Sequence, residues 1–277
     1  MRQEVLVVIG VGGMGQAIAR RQGSGRVVLL ADLDAGTLEA AAGTLREEGH
    51  CVAAHHLDVA WRQSVADLAR TAAGLGPVAQ VVHTAGLSPA QASAAAILRV
   101  DLAGAAYVLE EFGQVVADGG AGVVISSMAG YLATPLDAEQ ESALARTPAD
   151  QLLLLPFASP EVVTDPADAY GLAKRVNQLR VQSASVSWGR RGARINSISP
   201  GIVATPMGHQ ELDSASGGFM RAMTDASAAQ RLGTPDDIAS AAAFLLGPDS
   251  SFITGSDLLV DGGVVAAVRS GRLTAPD

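Results

Sequence analysis

Short apolar runs alternate with longer amphipathic segments along the whole chain. Each run is continuous rather than alternating in polarity and is bounded by Gly, Asp or Ser. Such runs are typical of strands buried on both faces, as in a parallel sheet covered by helices. We therefore predict a doubly wound α/β fold with a mainly parallel seven-stranded sheet. The predicted strands occupy 5–10, 27–32, 52–59, 78–86, 122–127, 193–201 and 256–263.

Helical patterns fill the intervals between the predicted strands. The clearest start is Thr234 followed by Pro235, an N-cap residue before a proline at the first helical position. We find no internal repeat and no linker in the sequence, so residues 1–277 are predicted to form one domain. The predicted helices occupy 16–21, 35–48, 61–73, 90–117, 169–190 and 235–246.

The charge balance and the cysteine count exclude several classes of protein. The chain has 19 Lys and Arg against 28 Asp and Glu, for a net charge of −9. Nucleic acids and anionic membranes attract clustered Lys and Arg, so neither is expected as a partner. Cys51 is the one cysteine, which rules out an internal disulfide. No apolar run approaches the roughly 20 residues of a membrane span, and we expect a cytoplasmic protein.

Two segments interrupt the alternation. Five prolines lie in 133–168. Because proline cannot occupy a helix interior, we predict a short helix, a turn and a second short element there, as an insertion on the surface. Its apolar run at 152–157 is expected to line a substrate pocket, contact another subunit or pack on its own domain. A Gly-, Ser- and Ala-rich loop at 204–229 is predicted to cover the substrate. Its large apolar side chains are Met207, Phe219, Met220 and Met223.

The first predicted strand leads directly into the sequence GVGGMG, which opens a helix. In such a loop Gly10 permits a tight turn, Gly12 lets the backbone approach a pyrophosphate, and Gly15 allows close packing of helix on strand. Free N–H groups at the helix start favour an anion. This context predicts a Rossmann-type dinucleotide site. Its residues are Gly10, Gly12, Gly13, Met14 and Gly15.

An acidic residue at the end of the second predicted strand indicates which dinucleotide is bound. The Asp32 carboxylate there can accept hydrogen bonds from ribose hydroxyls and would repel a 2′-phosphate. No Lys or Arg follows in the next three residues, Leu33, Asp34 and Ala35, so NAD is predicted rather than NADP. Asp58, followed by Val59, ends another strand, where it either faces the adenine or caps the next helix.

Tyr170 and Lys174 lie one turn apart on a predicted helix and so share a face. A tyrosine with a pKa of about 10 is a poor acid or base at neutral pH, and a neighbouring ammonium favours its phenolate. The pair alone is common on solvated helix faces. Ser126 and Ser127, however, end the fifth predicted strand, at the edge where open α/β sheets bind ligands. The three elements together predict an active site.

Taken together, these motifs resemble the short-chain dehydrogenase/reductase family over nearly the whole chain. The resemblance implies an NAD(H)-dependent oxidoreductase that interconverts a secondary alcohol and a ketone by hydride transfer. We expect a mainly apolar substrate, such as a hydroxysteroid or a fatty acyl thioester. The motifs are the glycine loop, Asp32, Asp58, TAG at 84–86, ISSMAG at 125–130, YGLAK at 170–174, ISPGIVATPM at 198–207, RLGTPDDIA at 231–239 and ITGSDLLVDGG at 253–263.

The resemblance also implies roles for single residues. Tyr170 would be the catalytic acid or base, Ser127 would hydrogen-bond the substrate oxygen, and Lys174 would hold the ribose hydroxyls and lower the pKa of Tyr170. Small residues at Ala85 and Gly86 would let the chain pass beneath the cofactor. The residues implied to line the nicotinamide are Pro200, Gly201, Val203 and Thr205.

Four features depart from the family pattern. The glycine loop is one residue shorter, and Thr84 stands where the family has Asn. Asp101 falls at the family's relay Asn, where it is expected to hold a helix bend whose backbone carbonyl carries a water to the lysine. The interval from Ser127 to Tyr170 is longer than usual, as in members similar to 3α-hydroxysteroid dehydrogenase/carbonyl reductases. The family packs this helix in a four-helix dimer interface, so the insertion would block or replace that contact in the homo-oligomer, a dimer or tetramer, that we expect.

Alternatives to an oxidoreductase are weaker. Strand alternation sends His55 and His56 to opposite faces, so no metal site is predicted. No GxSxG elbow surrounds Ser127, which disfavours a serine hydrolase. A non-catalytic NAD-binding regulatory protein would have no need of the Ser, Tyr and Lys set. An epimerase or dehydratase on the same fold is disfavoured by the DGG near the C-terminus, on resemblance alone.

Overall fold

The computed structural model describes residues 3–273, in which seven strands form one parallel sheet. The strand order is β3-β2-β1-β4-β5-β6-β7, and each neighbouring pair is parallel. The predicted doubly wound α/β fold is therefore confirmed. Residues 1–2 and 274–277 of the predicted domain lie outside the described residues. The strands are β1 (Val5–Ile9), β2 (Val27–Asp32), β3 (Cys51–His56), β4 (Val78–His83), β5 (Val116–Ile125), β6 (Arg194–Pro200) and β7 (Asp257–Val260).

Helices connect the strands and cover both faces of the sheet. A π-helical turn at Leu98–Gly104 joins two of them, and 3-10 turns occupy Ala149–Leu154 and Pro248–Ser250. The helices are α1 (Gly13–Gln22), α2 (Ala35–Glu47), α3 (Arg62–Leu75), α4 (Ala94–Ile97), α5 (Ala105–Val115), α6 (Ala129–Leu132), α7 (Ala138–Arg146), α8 (Pro166–Gly189), α9 (Pro206–Leu212), α10 (Gly217–Ala226), α11 (Pro235–Leu246) and α12 (Val264–Arg269).

The strand order reverses between β1 and β4, and this places a crevice at their carboxyl ends. Connections from β1 lead to β2 and β3 on one side, whereas β4 leads to β5 and β6 on the other. Ligands of open α/β sheets bind at such a switch point. Thr84, directly after β4, donates a hydrogen bond of 2.7 Å to the carbonyl of Gly10, directly after β1. Thr84 thus ties the two strand ends together.

Two apolar layers, one on each face of the sheet, form the core. Helices α1, α2 and α11 pack on one face through side chains such as Ile18 and Ile238. Helices α3, α5 and α8 pack on the other, where Phe112 and Trp188 are fully buried. The Trp188 indole N–H donates to the Leu109 carbonyl at 3.1 Å, so its polar atom is satisfied within the core.

Two secondary-structure predictions are corrected. Strand β3 is not buried on both faces, because it is the edge strand and leaves Cys51 and His56 exposed. The helix predicted over 90–117 is shorter and interrupted: α4 passes through the π turn into α5, and Val116 already begins β5. Helical periodicity did not reveal the interruption because buried apolar residues continue through the π turn.

The two irregular segments differ in how well they were predicted. The insertion contains a short helix, α7, and a 3-10 turn, as expected, and a capping box between Asp137 and Gln140 begins α7. The segment at 204–229, predicted as a loop, instead forms helices α9 and α10. Thr205 caps α9 by accepting from the Gly208 N–H at 3.0 Å, ahead of Pro206 at the first helical position.

Candidate active site

Helix α8 carries both Tyr170 and Lys174 on the face that looks into the crevice. Asp165 starts the helix by accepting from the backbone N–H groups of Ala167 and Asp168 at 2.8 and 3.0 Å. Pro166 occupies the first helical position, which its fixed φ favours. One turn further on, the Lys174 Nζ lies 5.2 Å from the centre of the Tyr170 ring.

Ser126 and Ser127 follow β5 and have different surroundings. Ser126 is buried, and its hydroxyl donates to the backbone carbonyl of Lys174 at 2.7 Å, which fixes α8 against the end of the strand. The Ser127 oxygen accepts from the Ala129 N–H at 3.1 Å, so its hydrogen is available to another acceptor. The hydroxyl of Ser127 stands beside Tyr170 and acts to lower the pKa of its phenol.

The groups around Tyr170 shift the pKa of its phenol in opposite directions. Burial raises the pKa of the phenol, while the Lys174 ammonium and the Ser127 hydroxyl act to lower it. The carboxylates of Asp101 and Glu211 act in the same direction as burial. For Lys174, burial works to lower the pKa, but attraction to Asp101 and Tyr170 outweighs it and the pKa is raised. The ammonium therefore stays charged beside Tyr170.

Asp101 lies in the π turn, at the helix bend where its role was predicted, but its carboxylate contacts the lysine directly. Its Oδ2 forms a 2.8 Å ion pair with the Lys174 Nζ, and the side-chain exposures are 0% for Asp101 and 6% for Lys174. Its Oδ1 accepts from the Leu87 N–H at 2.8 Å. Asp101 therefore links the end of β4 to helix α8 by charge, a contact that the sequence did not predict.

His83 is a polar residue of the site that sequence reasoning missed. It ends β4 and is 2% exposed. Burial, helped by the nearby Lys174 charge, lowers the pKa of His83 to about 3, so the imidazole is neutral at physiological pH. Its position directly before Thr84 was the available signal, since a strand end at this edge faces the crevice.

The glycine loop after β1 and the end of β2 have the features that a dinucleotide requires. An Oδ2 of Asp32 accepts from the Val11 N–H at 2.8 Å, which places the carboxylate against the glycine loop. A Cβ on Gly15 would collide with the Gly10 carbonyl, so only glycine lets α1 pack this closely. Helix α1 has no side-chain cap and no acidic residue in its first turn, so its N–H groups can receive a phosphate. The chain therefore fits a nicotinamide dinucleotide.

The remaining residues predicted for the cofactor lie around the same edge. Asp58 accepts from the Ala60 N–H at 2.9 Å, which is a local turn contact ahead of α3. Val59 is buried against the π turn. Ala85 and Gly86 follow Thr84 just after β4, Pro200 ends β6, and Gly201, Val203 and Thr205 follow it. The Thr205 methyl group approaches Gly13, which brings the end of β6 next to the glycine loop.

A cavity of about 770 Å³ opens above the Ser, Tyr and Lys group. One wall comes from the insertion and includes Leu136, Phe157 and Val163. The opposite wall comes from α9 and α10. The cavity side chains on that wall are Met207, Glu211, Phe219, Met220 and Met223. Both irregular segments singled out in the sequence therefore line the same cavity as Ser127 and Tyr170.

The two walls are anchored independently. Helix α9 is bound to the loop after β4, where Glu211 accepts from the Ala90 N–H at 2.9 Å and Gln91 donates to Gln210 at 2.6 Å. The insertion packs on its own domain through the fully buried Leu152, while Leu154 is 76% exposed. Of the alternatives for the run at 152–157, its first residue supports packing on its own domain and its last, Phe157, lines the cavity.

Family models match almost the entire chain. A model described as short chain dehydrogenase matches residues 3–138, and one described as Enoyl-(Acyl carrier protein) reductase matches residues 137–265. The chain is 45% identical to the short-chain dehydrogenase/reductase bsc3 of Alternaria brassicicola, over 96% of this chain and 97% of the relative. The chain belongs to the short-chain dehydrogenase/reductase family. This short-chain dehydrogenase/reductase is an oxidoreductase, and the alternative of a non-catalytic nucleotide-binding protein finds no support.

Other relatives share the fold and the general chemistry. The short-chain dehydrogenase/reductase described here is 30% identical to galactitol 2-dehydrogenase (L-tagatose-forming) of Cereibacter sphaeroides, over 92% of each chain. A solved short-chain dehydrogenase/reductase from Serratia marcescens superposes with a TM-score of 0.73 at 23% identity, covering 95% of this chain and 98% of that one. The latter likeness establishes the fold.

Within 3–273, no group of three or more His, Cys, Asp and Glu side chains is arranged to hold a metal ion. In the same part of the chain, no helix combines the length and apolar character needed to cross a membrane.

Proposed function

We propose that this short-chain dehydrogenase/reductase uses NAD(H) to interconvert a secondary alcohol and a ketone on a neutral, mainly apolar substrate. The observation that carries the proposal is that Tyr170 and Ser127 line the large cavity while Lys174 lies 5.2 Å from the Tyr170 ring centre. No other arrangement of acidic and basic groups in the described cavity offers a proton donor next to a charged lysine.

Tyr170 is proposed to transfer the proton. In the reducing direction its phenol donates to the carbonyl oxygen of the substrate, and the available hydrogen of Ser127 binds the same oxygen. Lys174 keeps its positive charge and so stabilises the phenolate that Tyr170 leaves behind. A bound nicotinamide supplies or accepts the hydride. In the oxidising direction the Tyr170 phenolate takes the proton from the alcohol.

The preference for NAD is proposed from the charge around Asp32. Its carboxylate would accept ribose hydroxyls at the end of β2, close to the glycine loop. The next residues supply no cation, since Leu33 is apolar and exposed and Asp34 caps α2 by accepting from the Thr37 N–H. A 2′-phosphate would meet the Asp32 carboxylate and find no Lys or Arg in the three residues that follow it, which disfavours NADP.

A neutral substrate is proposed from the charges that line the cavity. Three carboxylates, Asp165, Asp168 and Glu211, face it, against one cation, Arg175. Arg175 is already paired, because its Nε lies 3.1 Å from Glu141. These carboxylates would therefore repel a thioester whose carrier group is anionic, whereas the apolar walls suit a bulky neutral ketone. A small sugar alcohol, the substrate named for one relative, would leave the apolar side chains of these walls without contact.

A panel of carbonyl compounds tests the proposal by NADH absorbance. We expect turnover with bulky neutral ketones, and rates at least tenfold lower with their carboxylate analogues and with small polyols. Tyr170→Phe should abolish turnover and leave NADH binding, followed by fluorescence, nearly intact. Tyr107→Phe is the matched control, since Tyr107 is a half-buried tyrosine outside the cavity. Turnover by Tyr170→Phe would contradict the mechanism.

The assembly is proposed from the family resemblance together with the surface. A single Rossmann-type domain is favoured because strands from both the nucleotide end and the catalytic end share one sheet. A homo-oligomer is favoured because Phe244 and Phe252 remain exposed. The insertion packs on α5 and on α8, the helix that the family packs in its four-helix contact. A dimer through a different face is therefore expected, and light scattering measures it.

A further inference from the structure

A buried carboxylate, Asp101, pairs with the lysine of the proposed active site. The two side chains are almost completely shielded from water, at 0% and 6% exposure, and their charged atoms are 2.8 Å apart. Water screens such a pair poorly, so each charge acts strongly on its neighbours. An uncharged amide, which the family resemblance leads one to expect at this position, would exert no such field.

The local structure brings the two charges together. The π turn at Leu98–Gly104 places Asp101 on its inner side, and the Leu87 N–H holds the second carboxylate oxygen at 2.8 Å. Gly86 lies against both side chains, since a Cβ there would lie 2.8 Å from the Asp101 Oδ2 and 3.2 Å from the Lys174 Nζ. The absence of a side chain at Gly86 is thus what lets the ion pair close.

We propose that the Asp101 carboxylate holds the Lys174 ammonium in place beside Tyr170 and partly cancels its charge, which makes Asp101 a positioning residue for proton transfer. The proposal rests on the proposed roles of Tyr170 and Lys174. With Asp101 present, the phenol faces a nearly neutral pair and keeps its proton to higher pH. This suits Tyr170 to donate a proton to a carbonyl rather than to remove one from an alcohol.

Other charged groups near Tyr170 and Lys174 act more weakly or are neutral. Glu211 on α9 also acts to raise the pKa of the phenol, and the Ser127 hydroxyl after β5 acts to lower it. His83 on β4 faces Lys174, but burial lowers the pKa of its imidazole to about 3, so it carries no charge in the working range. Burial also raises the pKa of Asp101, and the Lys174 ammonium and the Leu87 N–H oppose that shift. The charge state of Asp101 is therefore the quantity to test.

The test is the phenolate absorbance of Tyr170, which needs neither substrate nor cofactor. The chain has three tyrosines, so each protein minus its Tyr170→Phe counterpart isolates one titration. Asp101→Asn keeps an oxygen for the Leu87 N–H and removes the charge. We expect phenolate to appear about one pH unit lower or more in this variant, because the uncompensated ammonium favours it. The alkaline limb of kcat/KM should move the same way.

Two further variants separate charge from structure. Lys174→Met leaves Asp101 uncompensated and should move the Tyr170 titration upward, opposite to Asp101→Asn. The double variant, Asp101→Asn with Lys174→Met, carries neither charge. Its Tyr170 should titrate between the values of the two single variants, and this variant keeps the test available if Asp101→Asn does not fold. An unmoved titration in Asp101→Asn, or a shift seen in Asp101→Ala and not in Asp101→Asn, would overturn the proposal. Failure of the proposed function would show instead as no turnover with a normally shifted titration.

Discussion

The guanidinium of Arg180, on the helix that carries Tyr170, donates a hydrogen bond of 2.8 Å to the carbonyl of Thr147 in the insertion. The same nitrogen reaches the Leu144 carbonyl at 3.1 Å, and the other terminal nitrogen pairs with Glu110 on α5 at 3.0 Å. One buried side chain therefore joins the insertion, α5 and α8. The cavity wall formed by the insertion depends on this connection.

Arg180→Met should destabilise the protein by about 1–3 kcal/mol, because it removes the hydrogen-bond donor of the buried Leu144 carbonyl and of the partly buried Thr147 carbonyl. Denaturant unfolding measures the change. Arg62→Met is the matched control: Arg62 pairs with Glu110 and Glu111 but is 44% exposed, so its loss should cost less than about 1 kcal/mol. Equal losses in the two variants would mean that Arg180 does not anchor the insertion.

Phe157→Ala should raise KM for a bulky apolar substrate by roughly tenfold or more, since burying such a side chain is worth about 1.5–3 kcal/mol. KM for a small ketone should change less. Leu154→Ala is the control from the same run, because Leu154 points to solvent. Steady-state kinetics with both substrates measure these KM values. An unchanged KM for the bulky substrate would show that the insertion does not contact the substrate.

Asp32→Ala should weaken NAD binding and shift the ratio of kcat/KM for NAD over NADP by about tenfold to a hundredfold, the range for hydrogen bonds to a charged group. Asp34→Ala controls for charge loss nearby: it removes the α2 cap, at about 1 kcal/mol of stability, without touching the ribose position. If the cofactor ratio moved only in the Asp34 variant, Asp32 would not be the selecting residue.

His83 should make the folded state sensitive to acid. Burial lowers the pKa of His83 to about 3, whereas in the unfolded chain it takes up a proton near its ordinary value of about 6.5. Between these values the unfolded state binds the extra proton, so stability falls as pH falls, by about 1.4 kcal/mol per pH unit. His83→Asn should flatten this slope in unfolding measurements between pH 6 and 4. His56→Asn, at an exposed site, should not.

Much of the fold was predictable because its signals are local. The strand, glycine loop and helix at Gly10–Gly15 follow from the conformations that those residues allow. The spacing of Tyr170 and Lys174 places both on one helix face whatever surrounds them. The Thr-Pro pair that starts α11 marked its boundary, and the same pair at Thr205 and Pro206 starts α9 within a segment predicted as a loop.

Sequence alone indicated the family, the order of the seven strands along the chain, and which residues carry the chemistry it predicts. Tertiary structure decided what those residues contact. The Asp101–Lys174 ion pair, the burial of His83 and the hold of Arg180 on the insertion all join segments far apart in the chain. Periodicity and capping act over a few residues, whereas a charge in a dry interior acts on whatever the fold places beside it.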